Sequence, residues 1–275
     1  MIDRTPAGRA AINGTLVDPA TLSIAWTDPA VQWGLGVFET VAIREGSLES
    51  WDAHLRRLEA AATRLDVRLP SKTEIERTAA AVAGSVPGGH GWLKVIVSRS
   101  SGWVVFAGTS EAAEVGQSAS AVILPWRRHH SDPLAGVKSL AYAASMLGLE
   151  EARRRGADEG LFLNERGHVV EGCTSNVFII RGRAAVTPAI GDGARDGVTR
   201  ERAIEALRAM GLSVRQSKVR VLALRAADEV FLTSSLLGVR PVVRIDGRNV
   251  AKGKPGRTTQ RLAERLTARE VKHHA

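Results

Sequence analysis

Apolar positions recur along this chain with two different periods, and the switches between them mark its elements. The stretch 37–43 (VFETVAI) reads as a strand that leads to a Glu45-Gly46 turn. Leu55, Leu58, Ala62 and Leu65 then recur at helical spacing, which predicts a helix over 51–65 with Ser50 as its cap. A second helix is expected over 71–83, then a Pro87-Gly88-Gly89 turn and a strand over 92–98. The next segment, Gly102-Trp103-Val104-Val105-Phe106, reads as an apolar loop. Residues 111–118 are small and polar, 119–124 resume a strand, and 125–133 read as a connector. Residues 1–30 read as loop and short strand.

In the second half, Leu140, Ala144 and Leu147 repeat at i, i+4 and i+7 and predict an apolar helix stripe. Glu151, Arg153, Arg154 and Arg155 crowd the far end of that helix, and Gly156 is its natural stop. A short strand over 160–163, an Asn-Glu-Arg-Gly turn and a strand over 168–170 lead into Glu171. Small polar residues (Gly172 to Asn176) interrupt before a strand over 177–180. A glycine-rich loop over 191–197 opens a helix over 198–210, with Ala203, Ile204, Leu207 and Met210 on one face and Gly211 beyond its end. Strands are expected over 214–224 and 229–233, then a hairpin over 242–250 around Asp246-Gly247 and a last helix over 258–271. The alternation of helices and strands predicts an α/β chain with mixed sheets. Its expected domains are 1–124 and 134–275, joined by the connector.

The 275 residues suffice for two modest domains with buried cores. No apolar run approaches the length that spans a bilayer, and the first residues carry no apolar signal-peptide core, so no membrane partner is expected. A single cysteine, Cys173, excludes an internal disulfide framework and suits the cytoplasm. The formal net charge of +9 raises the question of nucleic acid. Its arginines are interleaved with glutamates along helices, with no basic block carrying aromatics. The charge therefore reads as a solvated surface that attracts an anionic small molecule.

Candidate chemistry centres on Lys138 and Glu171. A lysine amine shielded from water is a nucleophile toward aldehydes, and a carboxylate facing a pyridine nitrogen keeps that ring an electron sink. Taken singly, each is better read as a surface charge. His129 and His130 have no spaced carboxylate or cysteine in the sequence and are left as linker residues, with His273 and His274 as a tail, so no metal site is expected. The segment QWGLGVFET lacks the third glycine and the following helix of a dinucleotide fold.

The block from Lys138 to Phe178, K-S-L-x-Y…G-A-D-E-x-L-F-L-N…G-x-V-x-E-G-x-x-S-N-V-F, resembles the class IV (fold-type IV) pyridoxal-phosphate aminotransferase family. So do G-V-F-E-T at Phe38, H-L-R-R-L at Arg57, G-V-T-R at Val198 and Thr199, and E-V-F-L-T-S-S at Ser234 and Ser235. The resemblance implies a two-domain fold like that of D-amino-acid aminotransferase, with pyridoxal 5'-phosphate in the cleft between domains, and a homodimer. It implies that Lys138 carries the cofactor and that Glu171 faces the ring nitrogen. Arg57, Val198, Thr199, Ser234 and Ser235 would hold the phosphate. Phe38, Arg99, Tyr142 and Arg195 would meet substrate, although Arg195 stands where the family usually has an aliphatic residue.

Within the family the segments look closest to 4-amino-4-deoxychorismate lyase. That branch forms 4-aminobenzoate and pyruvate on the way to folate. A transaminase of branched-chain or D-amino acids or of amines is the alternative, and a non-catalytic binding protein on the same scaffold is a third.

Overall fold

The computed structural model describes residues 6–100, 102–110 and 117–272, with side chains to residue 267. Residues 111–116 and the His273-His274 tail lie outside the described residues. The chain divides into two compact units, Met1–Ala113 with Val137–Tyr142, and Glu114–Gly136 with Ala143–Ala275. The expected connector does not mark this division. Its first residues continue a strand of the second unit, and the six residues around Lys138 belong to the first.

The first unit contains β1 (Ala10–Ile12), β2 (Thr15–Val17), α1 (Pro29–Trp33), β3 (Gly36–Arg44), β4 (Ser47–Leu48), α2 (Trp51–Leu65), α3 (Lys72–Ala83), β5 (Gly91–Ser98) and β6 (Trp103–Thr109). Its strands form one antiparallel sheet in the order β2-β1-β6-β5-β3-β4. Strand alternation sorts the side chains by face. Val37, Ile43, Leu93, Val95, Val97, Val105 and Ala107 join Leu55, Leu58, Ile75, Ala79 and Val82 of the helices in one core. Two expectations change here. Trp103 to Phe106 is not loop but the start of β6, paired residue for residue with β5. Ser50 precedes α2 in a left-handed conformation (φ 51°) and makes no side-chain cap, because capping requires an extended backbone. Ser71 caps α3, with Glu74 completing a capping box.

The second unit contains β7 (Ala119–Arg128), α4 (Ala143–Arg154), β8 (Glu159–Asn164), β9 (His168–Gly172), β10 (Asn176–Arg181), β11 (Ala184–Thr187), α5 (Val198–Ala209), β12 (Ser213–Gln216), β13 (Val219–Arg220), α6 (Val221–Arg225), β14 (Glu229–Ser234), β15 (Gly238–Ile245), β16 (Arg248–Asn249) and α7 (Arg257–Lys272). Its mixed sheet runs β12-β11-β10-β14-β15-β7-β8-β9-β13, with β16 paired to β15. Strands β12 and β13 stand at opposite ends of that order, yet only two residues separate them in the chain. Three peptide steps span at most about 10 Å, so the sheet curls until its ends approach. Leu161, Leu163, Val169, Val177, Ile179, Val230, Leu232 and Val242 fill the inside of the curl. Phe178, Ile180 and Phe231 face outward to Ala203, Ile204 and Leu207 of α5 and to Leu262 and Leu266 of α7.

The single strand expected over 214–224 is therefore two short strands and a helix. A continuous strand could not leave one sheet end and join the other, and Leu222 and Ala223 favour helix. The stripe expected on α4 is also overturned. Leu147 is 55% exposed, while Ser145, Gly148 and Ala152 are buried. A Cβ on Gly148 would lie 2.7 Å from Cys173 Sγ and 2.9 Å from Leu124 Cδ1. The helix lies so close to the sheet that only small residues fit beneath it.

Candidate active site

In the first unit, Lys138 rides on a short segment zipped to the edge of β3. The Phe38 amide donates to Lys138 O (3.1 Å), and the Leu140 amide donates to Gly36 O (2.9 Å). Glycine is required along this contact, since a Cβ on Gly34 would fall 2.9 Å from the Ala141 backbone. The segment sets half-buried Lys138 with its Nζ 4.1 Å from the centroid of Phe38, whose ring meets Tyr142 edge-on at 5.3 Å. Three predicted residues, Phe38, Lys138 and Tyr142, are thus brought together. An aromatic face attracts an ammonium while excluding water from it.

Arg57 comes from the helix-covered side of the same unit. It donates through Nε and Nη2 to the two oxygens of Glu39, each at 2.7 Å, in a bidentate pair. The His54 Nδ1–H donates to Glu39 Oε2 at 2.7 Å. Burial alone would raise Glu39, but the charge of Arg57 and bonds from Arg57 and His54 outweigh it and hold the carboxyl far below its usual range. Burial, aided by the charges of Arg57 and Lys138, keeps His54 below its ordinary value despite Glu39. Arg56 is exposed, so of the two adjacent arginines Arg57 is the one held inward. Arg99 instead makes an exposed ion pair with Asp66 at 2.9 Å.

In the second unit, Glu171 is 3% exposed and lies at the end of β9, opposite Phe162 of β8. Its Oε1 accepts from Arg128 Nη1, and its Oε2 accepts from the Arg195 amide at 2.9 Å. Arg128 reaches it from the end of β7, passing over the face of Phe162 with its guanidinium carbon 3.9 Å from the ring centroid. Its Nη2 donates to Ser145 Oγ at 2.7 Å. Asn176 Nδ2 donates to Arg195 O at 2.8 Å, so the Arg195 turn is pinned on both sides of its residue.

The N-terminus of α5 opens next to that turn. Gly197 is its N-cap and supplies no side-chain bond to the first-turn amides, leaving the helix dipole available to an anion. Thr199 is buried there, and Ser234 and Ser235, half-buried, follow β14. Thr233 Oγ1 is buried with no hydrogen-bond partner among the described residues. Arg200, which closes the G-V-T-R segment, is used structurally. Its Nη2 donates to Pro188 O (3.0 Å) and Gln216 Oε1 (2.9 Å), and burial lowers its proton affinity.

Four residues passed over in the sequence gain roles from the fold. Glu39 lay inside a quoted motif without an assignment. Arg128 falls in the stretch 125–133 that reads as a connector. Lys94 was the single charge in an apolar strand, a usable signal, and its Nζ stands 4.7 Å from the same Phe38 ring. Glu159 is buried, and desolvation raises its carboxyl although Ser175 and Thr174 donate to it. It thereby fixes the turn after Glu171. The histidine pair also changes, for Glu165 supplies the carboxylate that the sequence lacked. His130 Nδ1–H donates to Glu165 Oε1 at 2.7 Å, and Arg166 Nη2 donates to His130 Nε2 at 3.2 Å. Ligand atoms of His129, His130 and Glu165 lie within 4.8 Å of one another, but both His130 nitrogens are already engaged. No helix among the described residues is long and apolar enough to cross a membrane.

Comparison with known proteins bears on this arrangement. The model of the family described as amino-transferase class IV matches residues 36–245. The aminodeoxychorismate lyase of Bacillus subtilis is 28% identical over 278 residues, covering 95% of this chain and 94% of that protein. The branched-chain aminotransferase of Thermoproteus uzoniensis, solved with norvaline, superimposes with a TM-score of 0.85 at 26% identity, over 95% of this chain and 94% of that one. A fold IV transaminase from Curtobacterium pusillum gives 0.86 at 27% identity, over 98% and 100%.

Proposed function

The chain belongs to the class IV aminotransferase family, and within it we propose a pyridoxal-phosphate enzyme that converts 4-amino-4-deoxychorismate to 4-aminobenzoate and pyruvate, a step toward folate. The residues present fit the cofactor. A half-buried lysine stands against two aromatic rings, a buried carboxylate has both oxygens fixed, the start of α5 carries no side-chain cap, and the Thr233 hydroxyl has no hydrogen-bond partner among the described residues. Val198, Thr199, Ser234 and Ser235 are assigned to its phosphate, with Arg57 held in orientation by Glu39. When bound, pyridoxal phosphate supplies an electron sink for the bond-breaking carbon.

Lys138 would provide the amine that holds the cofactor, and the same amine would take the proton from the substrate carbon that bears the amino group. That proton loss lets the carboxyvinyl ether bond break and the ring become aromatic. The departing enolpyruvate gains a proton to become pyruvate, so atoms balance without an oxidant. Glu171 maintains charge at the ring nitrogen, and Phe38 and Tyr142 screen Lys138 from water.

The observation that carries this choice is the pair of ammonium groups, Lys94 and Lys138, on the ring of Phe38 with Tyr142 beside it. An aromatic wall with an added cation suits a flat, ring-shaped dianion better than an aliphatic side chain. The match to the B. subtilis lyase over nearly the whole chain supports it, whereas the T. uzoniensis enzyme supports a branched-chain transaminase. A homodimer is part of the proposal, supported by exposed Ile24, Trp26, Val31 and Trp33 in the first unit; a cytoplasmic location is likewise proposed. The test is one preparation assayed side by side. Release of 4-aminobenzoate with pyruvate, and negligible keto-acid exchange with leucine or D-alanine, is expected. Fast leucine or D-alanine transamination without 4-aminobenzoate would reverse the choice.

A further inference from the structure

We infer that Arg128 is a positioning residue for Glu171, fixing the carboxylate's orientation and charge toward the cofactor's ring nitrogen; the inference rests on the cofactor reading above. The geometry is built across three neighbouring strands. Arg128 ends β7, Phe162 lies on β8 and Glu171 on β9, and the guanidinium crosses the middle strand on the face of Phe162 to reach the carboxylate. Ser145 accepts its second terminal nitrogen from the small face of α4. The arginine therefore has a stacked plane and two hydrogen-bonded ends, which leaves its head little freedom.

A buried ion pair adds little net stability compared with apolar packing, so an arginine fixed in three ways on one acid is better explained by what the acid must do. A carboxylate that shares a proton with an aromatic nitrogen leaves it on the nitrogen only while the anion is favoured. The guanidinium touches the carboxylate directly and pairs its charge while fixing its direction. The Arg195 amide on the other oxygen acts in the same sense. Arginine suits this task because it does not titrate in the working range and its planar fork fixes direction as well as charge.

The experiment loads the full chain with pyridoxal phosphate carrying 15N in its ring and records the ring-nitrogen NMR signal with turnover. Wild type, Arg128→Gln, Arg128→Lys and Glu171→Gln are compared, and circular dichroism verifies folding. Arg128→Gln should move the signal toward the unprotonated position and lower turnover by about tenfold or more, the equivalent of one pK unit. Arg128→Lys should keep the signal near wild type, because the charge is restored. A wild-type signal in Arg128→Gln, when Glu171→Gln shifts it, overturns the inference and leaves the cofactor reading standing. A wild type that takes up no cofactor, or a Glu171→Gln signal that does not move, defeats the cofactor reading or its Glu171 assignment and the inference with it. If Arg128→Gln does not fold, Ser145→Ala removes one anchor and keeps the charge. It should shift the signal the same way by less, and no shift counts against the inference.

Discussion

Glu39→Gln is the most informative single change in the first unit. It keeps the shape of the side chain and removes the charge that Arg57 and His54 share. Glu39 is 1% exposed, and the Arg57 side chain 16%. Removing one member of a buried ion pair destabilises by about 3–5 kcal/mol, and the partial exposure of Arg57 lets water recover some of that loss, so about 3 kcal/mol is expected. For a chain of this size that lowers the melting temperature by about 6 °C or more.

The pH dependence follows from the depressed Glu39 carboxyl. Its stabilisation is fully present above the unfolded value near 4.5 and is lost as pH falls toward the folded one. The difference between wild type and variant should therefore be flat from about pH 8 to pH 5 and shrink below that. His54 stays in both proteins and, held below its ordinary value of 6.5, costs each of them stability on acidification because unfolding lets it take a proton; the cost is no smaller in the variant, which lacks the Glu39 charge that raises His54. The assay is urea denaturation at pH 7 and at pH 4. A variant within about 0.5 kcal/mol of wild type at pH 7 would refute the argument.

Lys138→Ala should lose the covalent link to cofactor that borohydride fixes, and nearly all turnover, while weak absorbance from phosphate-held cofactor persists; peptide mapping after reduction checks this, and a fixed adduct on another lysine would overturn it. Gly148→Val should destabilise by about 1–3 kcal/mol, because even a Cβ there meets Cys173, Leu124 and Phe162 within 3.1 Å; an unchanged unfolding midpoint would contradict that packing. Burial and the nearby Glu159 charge push the Cys173 thiol well above its ordinary value, so it should resist thiol reagents until urea unfolds the chain, as a colorimetric thiol assay measures.

Elements with strong local signals were legible in the sequence, as with Leu55, Leu58 and Ala62 on α2 and the β-branched and aromatic run of β3. Periodicity failed at α4, where it detects hydrophobicity, whereas the sheet below admits only small side chains. There Gly148 and Ser145 face inward and Leu147 outward. Gly102 suggested a loop continuing through Trp103, although Trp103, Val104, Val105 and Phe106 are aromatic and β-branched residues that favour a strand and pair residue for residue with β5. Lys138 and Glu171 emerged from family resemblance, since neither stands out by pattern. Arg128, Glu39 and Lys94 needed the fold, because each acts on a partner far away in sequence.

The segment that bears Lys138 also settles a problem of exposed backbone. Along Gly36 to Phe38 the outer side of β3 has no neighbouring strand among the described residues, for β4 reaches only Ile43 and Arg44. A bare strand edge invites another chain to add on. The Ser139 bridge and the two flanking amide bonds close that edge with residues that follow the rest of the first unit in the chain, after 114–136 of the second. Until Tyr142 leaves the ribosome, the nascent first unit carries an open edge beside its aromatic surface. Fragments that stop at residue 113 should therefore self-associate, and a supplied peptide spanning 137–142 should suppress it.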